Sequence, residues 1–122
     1  TWIRRGKDHK YRLMRTREPL TDKQLSSMLR TGQRYLGLPY DLRFAWSDQK
    51  IYCSELVWKI YRRGAGITLS EPRPMDSYRL GHPAVRSLLR KRWGEDIHWK
   101  EPMVAPSDLA DSPMLETIKD TY

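Results

Sequence analysis

Glycine and proline set the length of every regular element this chain can build. Gly37 stops the apolar-periodic run that opens after Thr21, and Pro39 forbids its return. Gly64 and Gly66 end a second run, prolines punctuate residues 70–81, and Gly94 closes a third run that Pro83 opens. What remains is a set of short helices with extended pieces between them.

The first extended piece is "YRLMRT" (11–16), where apolar Tyr11 and Leu13, followed by Arg15, alternate with Arg12, Met14 and Thr16, as in a strand with one wet face. Thr21 with Gln24 three residues on forms a capping box, and Leu25, Met28, Leu29 and Leu36 lie along one face of the helix that follows. Residues 40–52 lack helical period and lead to a second helix from about Cys53 to Arg63. Leu56, Val57, Ile60 and Tyr61 form its core stripe, while Lys59, Arg62 and Arg63 are expected to face water. A third helix (82–94) turns Val85, Leu88 and Leu89 inward. Residues 99–106 and 114–119 are weak strands, and Ser107 is expected to cap a single turn between them.

At 122 residues the chain has room for one ordinary domain and one core. Its formal net charge of +8 is uneven, because residues 101–122 carry one cation against five acids. A basic surface of this kind attracts nucleic acid, anionic lipid or cell-wall polymer. The basic run "RSLLRKRW" (86–93) has helical apolar spacing, so it is expected to be the solvated face of a core helix rather than a specific nucleic-acid site. One cysteine cannot make an internal disulfide and does not locate the protein. Three histidines and one cysteine, scattered without ligand spacing, give no reason to expect a metal or other cofactor.

Cys53 stands at a helix start, where unpaired N–H groups and the helix dipole favour a thiolate. Cysteine also packs as a small apolar side chain, and position alone leaves both roles open. The surroundings are more informative. "YLGLPYDLRFAWSDQKIYCSELVWKIY" resembles the papain-like hydrolases of the NlpC type, through Gly37, Pro39 and Tyr40 and then Cys53, Ser54, Leu56 and Val57. Tyr52-Cys53-Ser54-Glu55, "RYLGLPYD", "WSD" and the later "PSDL" resemble its circularly permuted branch, the YiiX/YebB-like amidases, over nearly all of the chain.

The resemblance implies an α+β fold in which the cysteine-bearing helix packs on an antiparallel sheet. It implies a thiol hydrolase or acyltransferase that cleaves an amide or ester, with a cell-wall peptide or lipid-linked acyl group as substrate. Cys53 is then the nucleophile and its backbone N–H an oxyanion donor, and Tyr52 either supports the oxyanion or packs. The base is the difficulty. In the permuted branch the histidine precedes the cysteine within a strand, and His9, in "GKDHKYRL", matches no such motif. In the unpermuted order it follows, which makes His98 a weak candidate and His82 a weaker one.

The expectation is therefore that residues 1–122 form a single domain, the C-terminal portion of a longer hydrolase, feeble or inactive alone because a segment outside them, or another chain, supplies the histidine. The family also suggests a bacterial periplasmic or envelope setting with an anionic surface nearby. The rival reading is a non-catalytic basic module that binds an anionic polymer or lipid, with Cys53 structural.

Overall fold

A computed structural model describes residues 2–122. In chain order it holds α1 (Trp2–Arg5), a 3-10 turn (Lys7–His9), β1 (Arg12–Thr16), α2 (Asp22–Gln33), α3 (Cys53–Lys59) running on into a π-helical turn (Ile60–Ala65), and β2 (Arg73–Pro74). A second 3-10 turn (Met75–Ser77), α4 (Pro83–Trp93), β3 (Pro102–Met103), α5 (Pro106–Ala110) and β4 (Leu115–Asp120) complete it. The architecture is α+β, as the sequence implied.

β1 pairs antiparallel with β4, from Arg12 opposite Asp120 to Thr16 opposite Leu115. Arg12 and Asp120, and Arg15 and Glu116, form cross-strand ion pairs at 2.7 Å. A register shift between Leu13 and Met14 breaks the expected alternation, so Met14 and Thr16 are half-buried while Leu13 is exposed. β2 and β3 make a second, very short antiparallel pair.

The Thr21–Gln24 capping box forms in both directions, with each backbone N–H on the other's side-chain oxygen at 2.9 and 3.1 Å. Gln24 also donates to the Ala65 carbonyl, which ties the start of α2 to the π turn. The two helices touch at Gly64, where a Cβ would lie 2.7 Å from the Cα of Met28. Gly64 therefore permits close packing, and the helix ends at Gly66, whose φ is +71°.

Met75, Leu89 and Trp93 form a core cluster with Val85, Ile97 and Met103 packed around it. Ile51, Tyr52, Leu69 and Val104 are also buried. Five further expectations change. Val57, expected in the core stripe, is 40% exposed. Lys59 is 1% exposed, because it has a buried carboxylate partner in Glu55 one turn back. Leu88 points outward and Trp93 takes the inward place near the end of α4. Ser107 lies inside α5, and the Asp108 carboxylate takes the Ala105 N–H at 2.7 Å in its stead. The apolar face of α2 is largely uncovered: Leu25 is 45% and Leu29 70% exposed, as is Leu36 just beyond its end, beside a groove of about 600 Å³ that Ile60 also lines.

Replacing Gly64 by Ala is expected to lower stability in urea by about 1–3 kcal/mol, the usual cost of overpacking. The same change at Gly81, where nothing lies within 4 Å, should leave the midpoint unchanged.

Candidate active site

The site is built from two stretches that run side by side. After Gly37, in a left-handed conformation at φ +82°, the Pro39 carbonyl accepts the Ile51 N–H, and the Ile51 carbonyl accepts the Asp41 N–H, both at 3.1 Å. This short parallel bridge sets Tyr40 beside Ile51, two residues before the cysteine. Asp41 is buried, and its two carboxylate oxygens accept the N–H groups of Arg43 and Ala45 at 2.9 and 3.1 Å. That turn carries Phe44, in a left-handed conformation, edge-on to Tyr52 with ring centroids 5.4 Å apart.

Around Cys53 the burial pattern is sharp. Ile51, Tyr52, Ser54 and Glu55 are all buried, and Cys53 between them is exposed. Each neighbour is held by a specific bond. The Ser54 hydroxyl donates to the Val104 carbonyl at 2.7 Å, and the Val104 N–H donates to the Tyr52 hydroxyl at 3.3 Å. Glu55 accepts the N–H of Tyr52 at 3.3 Å and of Ser47 at 3.2 Å. The first intrahelical bond runs from Leu56 N–H to the Tyr52 carbonyl, so the Cys53 N–H has no acceptor one turn back and can serve an oxyanion.

The ionisable neighbour described for the thiol is Tyr40, whose hydroxyl lies near enough for the two groups to interact electrostatically. Burial pushes the Tyr40 phenol above its ordinary pKa, the charge and hydrogen bond of Cys53 push it further, and Arg92 pulls the other way. Arg92 sits at the end of α4, with its guanidinium 5.1 Å from the centre of the Phe44 ring. Tyr52 lies inside, its phenol pKa raised strongly, by burial above all.

The histidines are elsewhere. His98 is half exposed, with Nε2 3.3 Å from the Asp96 carboxylate and its ring 4.5 Å from that of Trp93. His82 caps α4, its Nδ1 accepting the Ala84 N–H at 3.2 Å, and His9 is exposed near the Ile3 carbonyl. Among the described residues no hydrogen bond joins any of them to Cys53.

In the sequence Tyr40 stands out only as part of the Gly37-x-Pro39-Tyr40 turn, and nothing local places it near the sulfur. Arg92 and Val104 had no local signal at all, since they arrive from distant segments.

Comparison with known proteins identifies the family and the fold. The model of the family described as "Permuted papain-like amidase enzyme, YaeF/YiiX, C92 family" matches residues 1–119. The chain belongs to this family. YiiX of Escherichia coli (strain K12) is 38% identical over 117 residues, which are 96% of this chain and 58% of that protein. A crystal structure described as metalloprotein YiiX from Escherichia coli O157:H7 superposes with a TM-score of 0.92 at 36% identity, covering 99% of this chain and 67% of that one. The fold is thus the permuted papain-like one, and the chain spans little more than half of the curated relative.

One pH effect follows from the loop before the cysteine. Hydrogen bonds from Arg63 and then Lys59 hold the Asp48 carboxyl below its usual range. A carboxyl depressed by folding contributes stability above its unfolded pKa of about 3.9 and loses it as pH falls through the folded value. Asp48→Asn should flatten the loss of stability below about pH 4 and cost under ~1 kcal/mol near pH 7, because the pair is half exposed. Urea titrations at several pH values check this.

Proposed function

We propose that Cys53 is the nucleophile of a thiol hydrolase or acyltransferase acting on an amide or ester, with a histidine from outside these 122 residues as its base. The observation that carries this reading is the lone exposure of Cys53 between buried, individually anchored neighbours, in a chain of an amidase family.

The chemistry follows from the geometry. The thiolate attacks the acyl carbon, and the developing oxyanion is met by the Cys53 N–H at the helix start. The proton taken from the thiol by the histidine passes to the leaving amine or alcohol as the acyl thioester forms. Water, activated by the same histidine, then adds to the thioester and releases the acid and the thiol; an acceptor nucleophile in place of water completes a transfer. Tyr40 donates to the sulfur and so stabilises the thiolate before attack. Tyr52 supports the site from behind, through its bond with Val104.

The position of the base outside the chain is supported by three facts. His9, His82 and His98 have other partners. The relatives run longer than this chain. The apolar side chains of α2, together with Leu13 and Ile118 on the β1–β4 pair, stand uncovered, as surfaces that further polypeptide would bury. Cell-wall peptides and lipid-linked acyl groups are the substrate classes in view, and the basic surface suits an anionic envelope. The solved relative is described as a metalloprotein. Among the described residues no three of His, Cys, Asp and Glu are grouped to hold a metal.

In protein carrying the whole family domain, Cys53 should react with iodoacetamide at pH 6.5 faster than a cysteine in an unstructured peptide. Tyr40→Phe should slow it about three- to tenfold, the worth of one ordinary hydrogen bond. A Cys53 no faster than the peptide would remove the enzyme reading, and an unchanged Tyr40→Phe rate would remove the role of Tyr40.

A further inference from the structure

The chemistry above leaves unused the most completely buried charges among the described residues. Glu55 is 0% exposed, and Lys59, one helical turn on, is bonded to it at 2.6 Å. The two carboxylate oxygens of Glu55 reach back across the cysteine to the N–H of Tyr52 and, further, to the N–H of Ser47. Its bond to Tyr52 therefore closes a small ring that contains Cys53, from the residue before it to the side chain two residues after it. Lys59 spends its remaining donors on the Ser47 carbonyl and on Asp48, the latter at 2.9 Å. Its ammonium also lies 5.0 Å from the centre of the Trp46 ring.

Residues 46–50 have no helix or strand to hold them. The pair does so instead, and Asp48 carries the network outward to Arg63 on the π turn, which in turn donates to the Tyr35 hydroxyl beyond α2. A carboxylate this deep would be very costly alone, and with Lys59 in place the local charge is balanced. Packing could be satisfied by apolar side chains of the same size. What apolar side chains could not do is grip two N–H groups on one side of the cysteine and a carbonyl and a carboxylate in the loop leading to it.

We propose that Glu55 and Lys59 are the positioning residues of Cys53: Glu55 fixes the peptide before it, Lys59 fixes the loop that leads to it, and together they hold the thiol at the helix start beside Tyr40. This rests on the reading of Cys53 as nucleophile, and the experiment separates the two.

Changing one partner leaves an uncompensated charge that would itself perturb the thiol, so both are replaced together by apolar side chains of similar size, Glu55→Met with Lys59→Met, in protein carrying the whole family domain. The readout is the pH midpoint of iodoacetamide alkylation at Cys53, with Leu89→Ala, a buried change in the separate Met75–Leu89–Trp93 cluster, as the control for general loosening. The expected result is a native midpoint below the ordinary thiol value of about 8.5, an upward shift of half a pH unit or more in the double variant, and no shift in the control. A low native midpoint that the double variant keeps would overturn the positioning role and leave the nucleophile intact. A native midpoint at the ordinary value would overturn the nucleophile reading, and this proposal with it. If the double variant does not fold, amide exchange in the native protein decides: the Ser47 and Tyr52 amides should exchange as slowly as those inside α3, and exchange at the rate of an open loop would contradict the proposal.

Discussion

A carboxylate that water does not reach organises the neighbourhood of the cysteine. Glu55 is bonded to Tyr52, Ser47 and Lys59 at once, and every one of those bonds lies within a few residues of Cys53. Burial pushes its carboxyl upward in pKa while Lys59 pulls it back, the balance expected of a charge kept inside only because a partner is beside it. Remove that balance and the loop, the helix start and the presentation of the thiol lose their common anchor. The Val104 backbone supplies the second anchor, taking Ser54 and Tyr52 from the other side of the motif.

Seen this way, Tyr52-Cys53-Ser54-Glu55 is one exposed side chain and three fasteners. The same logic applies upstream. Pro39 and Asp41 are bonded to Ile51 and to their own turn, and the residue between them, Tyr40, is left to meet the sulfur. In both stretches the side chain that faces outward is flanked by groups whose polar atoms are satisfied internally. That is how an exposed thiol can be held in one place on a small domain.

Much of this was legible in the sequence. The Thr21 capping box, the stop at Gly66, the start of α3 at Cys53 and the β1 and β4 segments all follow from local chemistry that tertiary packing did not override. The misreadings share a physical cause. Lys59 looked solvent-facing because periodicity counts charge as polar and cannot see that Glu55, four residues earlier on the same face, is buried with it. Gly64 looked like a helix stop, although its reason is the backbone of Met28 across the helix interface. Leu29 and Leu36 looked like core because their spacing is right, yet nothing among the described residues covers them. Partners that come from distant segments, such as Val104 and Arg92, leave no mark in any local window.

The central claim is that Cys53 carries the acyl group. Brief incubation of protein carrying the whole family domain with a p-nitrophenyl ester, followed by intact mass measurement and peptide mapping, tests it directly. The expected result is a single acyl addition on the peptide containing Cys53, released by neutral hydroxylamine as a thioester would be. Acylation confined to lysines, or none at Cys53 in folded protein, would contradict it.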